Sequence, residues 1–224
     1  MEKRRGRPRA YDPEKAVTSA TTAFWDAGFA ATSLDALSAA TGMNRPSLYG
    51  AFGDKRELYL KTVERYRDAS AALMSELLTS DVPVRDALAR VFATALGIYL
   101  AGESGPRGCF LIGTTVTESV GDPEIRAVLR GALRRFDAAF ETRLRQAVER
   151  GELPEGADPA ALASVASALL HSIAVRARAG ESREALEHIA AAGLDLICGK
   201  PPTPRATRPA RHRKERADAP TRSR

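Results

Sequence analysis

Apolar residues recur along this chain at helical spacing. Val17, Ala20, Phe24 and Ala27 share one face of a helix, and Leu34 and Leu37 mark a second, shorter one. Leu58, Thr62, Tyr66, Ala69, Leu73 and Leu77 trace a long amphipathic helix, and Val84, Leu88, Val91, Ala95 and Tyr99 the next. Ile125, Leu129, Leu133, Phe136, Phe140, Leu144 and Ala147 outline another long one. Punctuation agrees with the periodicity. Asp12-Pro13, Asp122-Pro123 and Asp158-Pro159 each set a capping carboxylate before a proline, whose missing N–H is harmless at a helix start. Ser33, Asn44 and Ser182 are further caps, and Asp54 with Glu57 forms a reciprocal capping pattern. Gly28, Gly42, Gly151, Gly180 and Gly199 stand where runs stop, and Pro83 breaks the chain. AGESGPRG at 101–108 reads as a loop. CFLIGTTVTESV carries β-branched residues that would suit a strand, but no partner strand appears elsewhere, so a short helix is expected. The expected fold is all-α with about nine helices: a small N-terminal three-helix unit, a long connecting helix over 55–79, and a larger helical domain.

The second and third helices are too short to stand alone, since isolated helices under roughly 12 residues are marginal in water. Joined by a tight turn at Gly42, they make a helix-turn-helix. In such a corner the first helix braces the second, which enters the major groove of DNA, about 12 Å wide. Leu34, Leu37, Met43, Leu48 and Phe52 are expected to pack inward with Val17, Phe24 and Phe29. Arg45, Ser47, Tyr49 and Gly50 are expected to point outward.

Charge sharpens this picture. Residues 1–10 carry a net +4 and residues 200–224 a net +7, so residues 11–199 carry −5 of the chain's overall +6. Basic ends on an acidic body suit contact with a polyanion, or simple solvation. Residues 200–224, dominated by Pro and Arg, hold too little apolar surface to order themselves. Residues 11–60 hold only Lys15, Arg45, Lys55 and Arg56 against six acidic residues, so the arm before them would have to supply much of any attraction to DNA.

The run AFWDAGFAATSLDALSAATGMNRPSLYGAFGDKRELY resembles the DNA-binding domain of the TetR family of transcriptional regulators. The likeness rests on Phe24, Gly28 and Phe29, then Thr32-Ser33, Ala40, Gly42, Leu48-Tyr49, Phe52, Lys55 and Leu58, and covers residues 11–60. It implies a ligand-responsive homodimeric repressor on double-stranded palindromic operator DNA. Arg45 would contact a base or a phosphate. Tyr49 and Lys55 would contact phosphates, as could Thr32 and Ser33, although capping alone explains Ser33. Gly50 and Ala51 depart from the bulky residues common in the family at those positions: either base reading there is weak or the backbone approaches more closely. Arg5-Gly6-Arg7-Pro8 resembles an AT-hook core, which would lay Arg5 and Arg7 in an A·T-rich minor groove.

Residues 61–199 resemble the family only in helix number and length. By that resemblance the last two helices would form the dimer interface. ALASVASALLHSIAV is small enough for close approach, and Leu186, Ile189, Gly193, Leu196 and Ile197 give the final helix an apolar face. Phe92, Tyr99, Phe110, Phe136 and Phe140 are candidates for an effector pocket that takes an apolar or aromatic small molecule, and equally for plain core. His171 is a structural, interface or pocket residue. Cys109 follows Arg107-Gly108 at a helix start, a setting that lowers a thiol pKa and would suit a redox or electrophile sensor. A buried small hydrophobe is the alternative. An architectural DNA-coating protein without an effector is the competing function.

Other classes find little support. Two cysteines and three histidines, unclustered, provide neither a disulfide framework nor a metal site, and a reducing cytoplasm is expected. No cofactor is called for. No run reaches the 18 apolar residues of a membrane span, and no apolar stretch follows the basic start as in a secretory signal. GESG at 102–105 does not match the G-x-S-x-G elbow, and no set of paired carboxylates stands out, so no enzyme is expected.

Overall fold

The structure, a computed structural model, describes residues 12–102 and 105–200. Among these residues it holds nine α-helices and one π-helical turn, and no strand. The helices are α1 (Pro13–Ala31), α2 (Leu34–Thr41), α3 (Arg45–Phe52), α4 (Lys55–Thr79) and α5 (Val84–Leu100). A π turn (Leu111–Thr115) then runs into α6 (Val116–Glu118), followed by α7 (Pro123–Glu149), α8 (Pro159–Arg178) and α9 (Arg183–Cys198).

Each cap read from the sequence is made. Asp12, Ser33, Asn44, Asp54, Asp122, Asp158 and Ser182 all accept backbone N–H bonds from the first turn of their helices, and Asp54 with Glu57 completes the reciprocal box. Helix α5 has no side-chain cap of its own. The carboxylate of Glu152, beyond α7, accepts from the N–H of Val84 instead. Glu152 also faces Arg143, only 3% exposed, whose Nη2 donates to the Val82 carbonyl at 2.6 Å. A buried guanidinium is tolerable only with such partners. The three groups close the α4–α5 turn onto the end of α7.

Three expectations are refined. Gly28, at φ 80° and ψ 168°, leaves helical geometry and stops the regular run of α1 where expected, and one further turn over 29–31 follows the kink. The bend leaves Ala27 exposed, and Trp25 turns inward. CFLIGTTVTESV is helical but opens in π register; Thr114 and Thr115 donate their hydroxyls to the carbonyls of Phe110 and Leu111 at 2.8 and 2.7 Å, so these β-branched residues serve a helix by back-bonding. Helix α8 has the length and mean hydropathy, 20 residues at 1.5, of a membrane span, because alanine counts as apolar. It packs on α5, α7 and α9 instead, burying Ala163, Ala166, Leu170, Ile173, Ala174 and Ala177.

The core is continuous from end to end. Helices α1 to α3 and the start of α4 enclose Ala20, Phe24, Leu37, Met43, Leu48, Phe52, Leu58 and Tyr59. Helices α4, α5, α7, α8 and α9 enclose Leu88, Phe92, Phe140, Leu144, Ile173 and Leu186. Aromatic rings bridge the two regions. Phe24 meets Tyr59 edge-on at 5.1 Å, Tyr59 meets Phe110 at 6.2 Å, and Phe110 meets Trp25 and Tyr66 at 5.6 and 5.4 Å.

Candidate nucleic-acid interface and ligand cavity

The corner of α2 and α3 is held from behind. Gly42 takes φ 68° at the end of α2, a left-handed turn only glycine adopts cheaply, and Asn44 immediately caps α3. Leu48 and Phe52 anchor α3 in the core, whereas Tyr49 on the opposite side is 48% exposed. Gly50 is exposed, with no atom within 4 Å of where a Cβ would stand. Arg45, on the first turn, extends along the surface to Asp35 of α2, Nε to Oδ1 at 3.0 Å and Nη2 to Oδ2 at 2.6 Å. Ser47 is half-buried, and its N–H is used by the Asn44 cap.

The remaining DNA candidates differ in availability. Ser33 is exposed, and its hydroxyl oxygen accepts from the Ala36 N–H. Thr32 is only 1% exposed, and its hydroxyl donates inward to the Gly28 carbonyl at 2.6 Å. In this geometry it closes the bend of α1 and has no route to a phosphate. Lys55 opens α4 with its Nζ 3.4 Å from the Ala30 carbonyl and 4.5 Å from the centre of the Phe29 ring, and burial pulls its pKa down. Arg5 and Arg7 lie outside the described residues, as does the tail from residue 201 onward.

Behind the corner, α4, α5 and α7 leave a cavity of about 60 Å³ that opens to solvent. Helix α4 lines it with Tyr66, Ser70, Leu73 and Leu77, and α5 with Val91, Thr94, Ile98 and Tyr99. Met74, Ala95, Cys109, Phe136 and Leu170 complete the wall. Of the aromatic candidates, Tyr99 and Phe136 border this space, while Phe92, Phe110 and Phe140 are packed against protein on all sides. His171 also lies off the wall, its ring 6.3 Å from Phe136 and its buried Nε2 without a partner. The structure thus brings together Tyr99, Cys109 and Phe136, and adds Tyr66, which periodicity marks only as part of an inward stripe, and Ser70, which it does not mark. Tyrosine on an inward stripe was the usable signal, because a buried hydroxyl requires a partner.

Cys109 itself reverses an expectation. It is buried, and burial pushes the thiol pKa up; the amides of Ile112 and Leu111 and the hydroxyls of Tyr66 and Tyr99 offset this only in part. Arg107 does not favour the thiolate, because its guanidinium stacks on the Trp25 ring at 3.9 Å. Among the described residues no group of three or more His, Cys, Asp or Glu could hold a metal ion.

Polar contacts fasten the corner to the bundle beside this cavity. The Trp25 indole N–H donates to the carbonyls of Gly108 and Arg107 at 3.2 and 3.3 Å. Arg178 of α8 donates to the carbonyls of Trp25 and Arg107, both at 3.0 Å. At the start of α4, Arg56 reaches Asp122 through Nε and Nη2, at 2.5 and 2.9 Å, and Glu124 at 2.8 Å. Sequence spacing carries no sign of these ties, which span 66 to 153 residues.

Comparison with known proteins places this geometry. Residues 17–62 match the sequence family described as "Bacterial regulatory proteins, tetR family", and residues 86–192 match "Tetracyclin repressor-like, C-terminal domain". The HTH-type transcriptional repressor ComR of Escherichia coli K12 is 33% identical over 197 residues, 88% of this chain and 93% of that protein. The chain belongs to the TetR family. A second TetR-type relative, the HTH-type transcriptional repressor BdcR of E. coli K12, is 31% identical over 86% of this chain and 92% of its own length. Among solved TetR structures, a cysteine-substituted CifR complexed with a 26-base-pair operator duplex superposes with a TM-score of 0.76, at 26% identity, over 84% of this chain and 98% of that one.

Proposed function

We propose that this TetR-family chain is a homodimeric repressor that binds a palindromic operator and is released by a small molecule seated between α4, α5 and α7. The observation that carries this reading is the setting of α3. Eight residues make a rod about 12 Å long, and the diameter of a helix with its side chains, about 10–12 Å, fits a major groove about 12 Å wide. Its inner side is pinned by Leu48 and Phe52, and its outer side presents Arg45, Tyr49 and the bare backbone of Gly50. Ser33 and Lys55 flank it and would meet phosphates, and Arg5 and Arg7 would follow the adjacent minor groove.

The division of labour follows: residues 1–10 as a basic arm, 11–60 as the DNA-binding domain, 61–199 for effector and dimer contacts, and 200–224 as a basic tail. Two copies would meet through α8 and α9, which leave Val165, Val175 and Leu196 exposed. A protein of this kind works in the cytoplasm by recognition and carries out no catalysis. An occupant that favours the DNA-incompetent arrangement would shift the population away from the operator.

Footprinting on the DNA upstream of the chain's own gene tests the reading. A protected inverted repeat with centres about one helical turn apart is expected. Protection spread evenly along any duplex would replace the repressor with an architectural DNA-coating protein.

A further inference from the structure

Among the described residues, the wall of the cavity holds no Asp, Glu, Lys, Arg or His. Its polar atoms are hydroxyls and one thiol, and three of them converge: the Tyr66 hydroxyl donates to the Cys109 Sγ at 3.8 Å, and Tyr99 stands against the same sulfur. Tyr99 and Cys109 are each 5% exposed, so this is the buried end, while Leu73 and Leu77 are only half-buried and lie toward solvent. We propose that the cavity takes an uncharged, mainly apolar organic molecule bearing one hydrogen-bond acceptor, such as a carbonyl, ether or alcohol oxygen, which Tyr66 and Tyr99 engage beside Cys109. The inference rests on the effector reading above and names the chemical class it requires.

Three physical points carry it. A carboxylate, phosphate or ammonium would leave water with no opposite charge to meet it, and the apolar contacts of so small a site do not recover that cost. Burial pushes Tyr66, Tyr99 and Cys109 up, so all three keep their protons at neutral pH and offer donors rather than charge. Sulfur is a weak acceptor, so the Tyr66 bond to Cys109 is easily exchanged for a ligand oxygen. A cation held by aromatic faces is the nearest rival. It is disfavoured here because Trp25 and Phe110 already pack on Tyr66, with ring centres 5.0 and 5.4 Å away, and no carboxylate of the described residues lines the space.

The packing of Trp25 on Tyr66 also provides the readout. Trp25 is the only tryptophan in the chain and touches Tyr66, so its emission reports what happens in the cavity. The full-length protein is titrated with benzyl alcohol, acetophenone, benzoate and benzyltrimethylammonium, following Trp25 emission and the melting temperature. The two neutral compounds are expected to bind at least tenfold more tightly than either ion. Tyr66→Phe and Tyr99→Phe, which keep the rings, are expected to weaken acetophenone about fivefold each and to leave ethylbenzene unchanged. Benzoate or the ammonium ion binding as tightly as its neutral partners would overturn the class while leaving an effector site in place. Silence from every compound would overturn the class and the use of this cavity for an effector together.

Discussion

Arg45 provides the sharpest test of how this protein would read DNA. It sits on the first turn of α3 with its guanidinium fork closed on Asp35, two bonds at 3.0 and 2.6 Å, both side chains largely exposed. Exposed pairs of this kind contribute little, so exchanging Asp35 for a guanine edge costs almost nothing. The same fork geometry that fits a carboxylate fits guanine O6 and N7. One such bidentate pairing discriminates by roughly 5- to 150-fold, and a dimer makes two of them, so Arg45→Ala should weaken a full operator by at least about 25-fold. A scrambled duplex should weaken far less, with the salt slope falling by about 0.9 for each phosphate that the variant leaves unneutralised. Arg45→Lys should resemble the alanine variant, since a point charge cannot make the bidentate bond. Asp35→Asn removes a carboxylate that competes for the fork and faces the phosphates, and should tighten both duplexes. Fluorescence anisotropy on operator and scrambled DNA at three salt concentrations measures all of this. Equal weakening on both duplexes, with full rescue by lysine, would refute base reading and assign Arg45 to a phosphate.

Three further outcomes follow from the geometry. Leu196, 79% exposed on α9, should tolerate aspartate in the monomer; sedimentation should nevertheless show Leu196→Asp dissociating the dimer while helicity is retained. Asp122 both caps α7 and pairs with Arg56, which holds its carboxyl at about 2, below the usual carboxylate value. Because the folded value lies below the unfolded one, this stabilisation is present above about pH 4 and fades as pH falls toward 2. Urea titrations should show Asp122→Asn flattening that acid limb while keeping the cap, and Asp122→Ala losing about 1 kcal/mol more at neutral pH. Gly108 takes φ +64°, and a Cβ there would lie 2.5 Å from the Ala174 carbonyl oxygen. Gly108→Ala should therefore destabilise the fold by more than about 1 kcal/mol in thermal melts.

What the sequence made legible was local. Caps such as Asp54 with Glu57, the stop at Gly42 and the inward set of Leu37, Leu48 and Phe52 are decided within a few residues, and the structure has each of them. Periodicity also finds which side of a helix faces inward, but it cannot say whether that side meets side chains or a void. Leu73 and Leu77 fell on the expected stripe of α4 yet are only half-buried at the cavity, whose wall also holds the buried Met74 from outside that stripe, while Leu78 takes a buried place away from it. Arg143 was hidden for a related reason: a guanidinium reads as surface until Val82 and Glu152, far along the chain, are seen to bond it. Cys109 illustrates the limit on chemistry. A helix start and a neighbouring arginine suggested a thiolate, but burial outweighs the amides, and the arginine is occupied by Trp25. The ties through Trp25, Arg178 and Arg56 depend wholly on tertiary placement, so no spacing rule could reveal them.

The central claim is that two copies of α3 enter successive major grooves on one face of the duplex. Pulsed electron-spin distance measurement tests it directly. A spin label fits at Lys61→Cys, exposed on α4 and outside the groove-facing set of α3, in a chain carrying Cys198→Ser and with Cys109 buried. On operator DNA a single population is expected, at the distance that sets the two α3 helices 34–36 Å apart, allowing for the length of the label. A lack of any intradimer distance in that region, or one that does not respond to operator at all, would contradict the account.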